Sequence, residues 1–224
     1  MQSIALQRKV SAMSIRTEAE ENLRIIRSLM EKATVYRAIS APGALVGGLC
    51  AVVTAVAGRW LANPVQVPPG FHFLVPWLTV LLIATVANFL LLAGGAKRRG
   101  ETFLSPGMRL ALRAMLPAML GGGVVTLLIL AVGPAFIASF WVLFYGISLL
   151  AASHFAPKSI CWLGRAFFVA GVVLLGGGIE AFTIWERGSE VLAAHDIMGA
   201  TFGLFHLVYA VLTWPSAGAA QAET

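Results

Sequence analysis

Charge is scarce in this chain. Only 12% of its 224 residues are Asp, Glu, Lys or Arg, while 58% are apolar and the mean hydropathy is +0.84. A soluble domain of this length carries roughly a quarter charged residues. The shortfall is concentrated in long uncharged runs, the pattern of a polytopic membrane protein. Cysteine is nearly absent. Cys50 and Cys161 fall in different apolar runs and neither belongs to a C-x-x-C pair, so neither a disulfide nor metal or redox work by thiolates is indicated. Ten acidic residues face sixteen basic ones, a net charge of +6. Nucleic acid is not the implied partner, because nearly all the cations border apolar runs, as they do where loops meet anionic headgroups. No G-x-x-x-x-G-K-[ST], H-E-x-x-H or G-x-S-x-G motif occurs. No cleavable signal peptide is visible before the first apolar run.

What is present is apolar sequence in membrane-sized lengths. Six runs are expected to cross a bilayer, at about 38–60, 73–96, 112–132, 134–153, 161–185 and 196–214. The third and fourth are one uncharged stretch from Ala114 to Ala152, divided at Gly133-Pro134, where a tight turn is expected. Between the first two runs, Pro64, Pro68 and Pro69 predict an extended loop over 61–72. Residues 215–224 read as a flexible tail. The fold expected is an all-α integral membrane protein, a bundle over 38–214.

Ahead of the bundle, residues 1–37 are expected to be cytoplasmic, with an amphipathic helix over about 17–37. Thr17 and Glu20 fit a capping box, and Leu23, Ile26, Met30 and Ala33 form one apolar stripe. That helix would lie on the membrane or meet a cytoplasmic protein partner, or else cover the cytoplasmic side of its own bundle. With the N-terminus inside, fourteen of the sixteen basic residues fall on the cytoplasmic side and only Arg59 and Arg187 outside. The positive-inside rule therefore places both termini in the cytoplasm. Trp60, Trp77, Trp162, Trp185 and Trp214 lie near run ends, where aromatic belts sit.

Small and polar residues inside the runs mark candidate packing faces and sites. In the last run, His195, Gly199, Gly203, His206 and Ala210 follow at steps of four, four, three and four and share one helical face, with Phe202, Leu204, Phe205 and Val208 on the others. Gly43 and Gly47 form a G-x-x-x-G pair. Gly121, Gly122 and Gly123 fall at mid-depth of the third run and either kink it or admit a neighbouring helix. The strongest glycine interruptions, here and at 176–178, fall in runs that do not correspond in an inverted repeat, so a transporter of that design is unsupported.

Glu180, about 7 Å below Trp185, is costly in lipid unless paired, hydrated or protonated. His206 lies near mid-depth. It suits a proton relay, a haem ligand or a substrate contact, or more plainly a neutral histidine bonded to a carbonyl or to Asn88, Tyr145 or Glu180. No second histidine lies at its depth for bis-histidine haem, since His72 and His195 are at the outer edge and His154 at the inner. His195, Asp196, His72, Glu186 and Glu190 would gather on the outer face but follow no metal-ligand spacing. No cofactor is expected, haem being the single one considered.

The segments ENLRIIRSLMEKATVYRAISAP and GATFGLFHLVYA resemble a family of uncharacterised bacterial six-helix inner-membrane proteins of unknown function. The resemblance covers most of the chain. It implies a bacterial inner membrane and brings no activity or site with it. The function expected is a non-enzymatic interaction or sensory module, possible also as a homo-oligomer. The alternative is a small transporter or redox protein working through Glu180 and His206.

Overall fold

The computed structural model describes residues 18–23, 41–61, 69–100, 106–153, 156–178, 180 and 190–222, and every regular element among them is helical. The helices are α1 (Ala41–Leu61), α2 (Pro69–Arg99), α3 (Pro106–Leu128), α4 (Pro134–Ala151), α5 (Lys158–Val173), α6 (Glu190–Met198) and α7 (His206–Ala222). A π-helical segment, Leu174–Gly178, extends α5, and another, Gly199–Phe205, joins α6 to α7 into one crossing. Six helices are long and apolar enough to span a membrane, so the chain is an all-α membrane protein. Residues 18–23 are helical; the rest of the amphipathic helix expected over 17–37 lies outside the described residues, as do Glu186, Trp185 and His154.

Helix ends follow proline chemistry. α2 begins at Pro69, inside the stretch expected to be a loop through residue 72. Proline is suited to a first helical position, where its missing N–H has no partner to lose and its fixed φ is already helical. Proline therefore starts this helix where it was expected to prevent one. Gly133 ends the α3–α4 turn with a φ of 146°, a conformation open to glycine, and Pro134 starts α4. The Glu190 carboxylate lies against Gly133, where any side chain would collide with it.

α4 and the α6–α7 crossing form the centre, α1 packs along the whole of that crossing, and α5 covers α4. α2 flanks α1 and is nearly all lipid-exposed, as Leu78, Leu82 and Leu90 show. The central contacts rest on small residues. A Cβ at Gly146 or Gly171 would come within 2.4 Å of the Phe168 nitrogen or 2.6 Å of the Leu143 Cα, so α4 and α5 touch backbone to backbone.

The two triple glycines behave differently. α3 runs unbroken through Gly121, Gly122 and Gly123, and the Phe144 side chain of α4 sits against the first two at 3.2 Å from their would-be Cβ positions. The break falls instead at Gly177, whose φ of 131° interrupts the helix.

Candidate functional site

The polar residues proposed from sequence separate into a closed cluster and an open one. The closed cluster surrounds His206. Its Nδ1 lies 2.8 Å from the Phe202 carbonyl, which only accepts, so Nδ1 carries the proton and Nε2 accepts from the Tyr145 hydroxyl at 3.0 Å. The Tyr145, Phe167 and Phe202 rings enclose it at centroid distances of 5.5 to 6.1 Å. Both nitrogens are engaged, so a metal or haem iron at Nε2 would have to displace Tyr145. Neither Asn88 nor Glu180 is a partner of this ring. Asn88 is half-buried on α2, one turn beyond Ala84, which meets Gly47 of α1. Glu180 is exposed beyond the break at Gly177, not in the bundle interior where it was expected beside His206.

The face proposed for the last run is split by the π segment. Gly199 and Gly203 face α1: their would-be Cβ atoms come to 2.7 Å from Ala55 and 2.8 Å from Val52, and Gly48 fits against Gly203. His206 turns instead toward α4 and α5. The wider i→i+5 turn rotates everything beyond it relative to the α-helical count that put all five residues in line. Phe202, expected on another face, is thereby packed between Tyr145 and Phe167, while Leu204 and Val208 are exposed. In α1 the close approach is at Gly48, next to the expected Gly47, while Gly43 is half-buried near the start of the helix.

The open cluster lies at the other end of that crossing, where α1, α2 and α6 meet. His195 is fully buried, one turn from the start of α6, and its ring fits only because residue 58 is glycine. A Cβ there would stand 2.6 Å from Cδ2, Cε1 and Nε2 of the imidazole. Trp77 of α2 donates its Nε1–H to His195 Nδ1 at 2.9 Å. Trp77 is 2% exposed and belongs to the core, not to the aromatic belt its position near a run end suggested. Phe73 closes the aromatic wall, 5.9 Å from His195 and 5.7 Å from Trp141. Next to the cluster, Arg59 binds both carboxylate oxygens of Asp196 at 2.7 and 2.5 Å, tying α1 to α6.

This arrangement fixes the chemistry of His195. Indole N–H can only donate, so Nδ1 holds a lone pair and the neutral ring carries its proton on Nε2. That Nε2–H is buried and has no hydrogen-bond partner among the described residues, and the same is true of Nδ1 of His72. Both histidines line a cavity of about 460 Å³ with Val53, Thr54, Ala57 and Gly58 of α1 and Phe71, Val75 and Pro76 of α2. The Nε2 edge of His195 lies against Gly58, itself part of the lining. Buried polar atoms are normally satisfied, so two unsatisfied imidazole nitrogens on one cavity call for an explanation. No group of three or more metal-ligating side chains exists among the described residues, and of the outer-face cluster considered from sequence the cavity gathers His72 and His195.

Sequence reasoning missed Trp77, Gly58 and the cavity itself. The usable signal was Pro69: starting the helix there puts His72 and Pro76 one turn apart on α2. Compared with known protein families, with characterised proteins and with solved structures, the chain matches none, so the reading of its site rests on this geometry.

Proposed function

We propose that this chain is a non-enzymatic sensory or binding protein of the bacterial inner membrane, and that its ligand is a lipid-soluble molecule bearing a hydrogen-bond acceptor. The observation that carries the reading is the His195 Nε2–H, fully buried, oriented by Trp77 and without an acceptor among the described residues, on a residue that lines a 460 Å³ apolar cavity. Cavities of this size with a few placed polar groups are the usual form of small-molecule sites. Among the described residues the lining offers one hydroxyl, on Thr54, and two imidazoles, with no carboxylate or thiol, which favours binding over catalysis. Val53, Phe71 and Val75 are all more than half exposed at its rim, so entry is from the lipid.

Charge supports an orientation. The exposed residues Lys97, Arg98, Arg109, Arg113, Lys158 and Arg165 lie at the ends of α2, α3 and α5 opposite Arg59. Under the positive-inside rule that end is cytoplasmic, and the cavity opens toward the outer leaflet. At the cytoplasmic end, residues 18–23 with Leu23 exposed are where a partner protein would meet the chain. The alternative, transport or redox chemistry through Glu180 and His206, has less support, because His206 is saturated by Tyr145 and Phe202 and Glu180 lies apart from it.

Native mass spectrometry of the purified protein tests the reading. A co-purifying small molecule should be retained by the wild type and lost from Val53→Trp, which fills the cavity from an exposed position that folding tolerates. Equal retention by both proteins, or nothing retained by either, would overturn it.

A further inference from the structure

We infer that the group held at His195 is an uncharged carbonyl oxygen on a lipid-soluble body, the chemistry shared by quinones and neutral acyl esters; this rests on the cavity being the ligand site. Hydrogen-bond polarity gives the first half of the argument. With Nδ1 accepting from Trp77 at 2.9 Å, the one function left to the neutral ring is donation through Nε2. A metal cation at Nε2 would need that proton removed and the ring made anionic, since no lone pair remains on a neutral imidazole bonded this way. A ligand ammonium would bring a second donor to a donor. The ligand atom must therefore accept.

Charge supplies the second half. No ionised side chain among the described residues lines the cavity. The nearest charged groups in sequence, Arg59 beside Gly58 and Asp196 beside His195, bind each other through two contacts and cancel locally. A carboxylate or phosphate entering here would leave water for an apolar wall and find a neutral N–H in exchange, too little to offset burial of the charge. A carbonyl oxygen avoids that cost, brings no donor of its own, and has two lone pairs. It can accept from His195 or from a His72 ring in its Nδ1–H form, the two unsatisfied nitrogens of this lining. The rest of such a molecule matches Val53, Ala57, Val75 and the Phe71 ring, and the lipid-facing rim admits it without passage through water.

The test uses the full chain in nanodiscs with four probes of one chain length: a decyl-substituted benzoquinone, monodecanoylglycerol, decanoate and decane. Binding constants come from calorimetry, with the infrared stretch of a carbon-13-labelled carbonyl as the direct readout of the hydrogen bond. One or both neutral carbonyl probes should bind at least about tenfold more tightly than decanoate or decane, the scale of one buried hydrogen bond. The carbonyl stretch should move to lower frequency, and His195→Phe should reverse both effects. Val53→Trp should abolish binding while leaving the Trp77–His195 pair intact, so it decides the matter if His195→Phe does not fold. Which neutral probe binds identifies the source of the carbonyl. Decanoate binding more tightly than both neutral probes, with loss in Val53→Trp, would overturn the carbonyl assignment and leave the cavity as a site. Zinc binding lost in His195→Phe would do the same. Failure of every probe, or binding indifferent to Val53→Trp, would overturn the site itself.

Discussion

Two histidines of the last crossing, eleven positions apart, receive opposite treatment from their neighbours. His206 is given a carbonyl and a phenol and is saturated by them; His195 is given an indole on one nitrogen and, among the described residues, no partner on the other. Removing the indole N–H should expose the difference. Trp77→Phe keeps a ring in the wall but leaves Nδ1 of His195 buried and unsatisfied, a loss of about 1–3 kcal/mol. Thermal unfolding in detergent should show it, whereas Trp162→Phe, at a site 66% exposed, should leave the midpoint unchanged. Tyr145→Phe should cost a similar amount by orphaning Nε2 of His206 yet leave ligand binding at the other end intact. Equal stability of Tyr145→Phe and wild type would mean that the His206 pair contributes nothing to the fold. The sequence marked His206 as out of place in lipid, set His195 at the outer edge, and named Tyr145 among the partners of His206. Which ring would be saturated was not legible, because the answer depends on groups brought from α2 and α4, 118 and 61 positions away. His72 was misread for a different reason: three prolines in twelve residues look like a loop, although the last of them is a helix start.

Helix contacts in this bundle are set by a few glycines among many. Twenty-three occur in the chain, and nothing in a single sequence separates those at a backbone crossing from those facing lipid. Gly171→Ala should place a methyl group 2.6 Å from the Leu143 Cα and force α4 and α5 apart, a cost of about 1–3 kcal/mol. Gly123→Ala meets nothing within 4 Å and should stabilise α3 by up to about 1 kcal/mol through helix propensity alone. Unfolding of the two variants side by side is the check, and a destabilised Gly123→Ala would show that α3 is packed there after all. Phe202→Leu, which its expected place away from the packing face would have made harmless, should instead cost about 1 kcal/mol or more by removing a ring from between Tyr145 and Phe167. Gly199 and Gly203, singled out with His206 by their helical spacing, lie against Ala55 and Val52 of α1. His206 was placed on the same face because a regular helix was assumed. The π segment between them has no sequence signature that periodicity can detect.

At the scale of the whole molecule, the six crossings and their order were legible, since uncharged length alone is enough when each run must satisfy its backbone without water. The charge pattern then gives the bundle two unlike ends. One carries Lys97, Arg98, Arg109, Arg113, Lys158 and Arg165, and the other the Arg59–Asp196 pair and the cavity. Six cations at one end against Arg59 at the other make the proposed orientation, with the six in the cytoplasm, the one the positive-inside rule predicts. Reporter fusions after residues 104, 157 and 218 should be active as cytoplasmic markers, and those after 66, 133 and 190 as external ones. The two orientations make opposite predictions at every position, so a single external signal at 104 rejects the topology. It would also move the cavity to the inner leaflet, where a lipid-soluble ligand could still reach His195 between α1 and α2. The test therefore separates where the site opens from what it binds, and a reversed topology would leave the neutral carbonyl assignment standing on its own measurements.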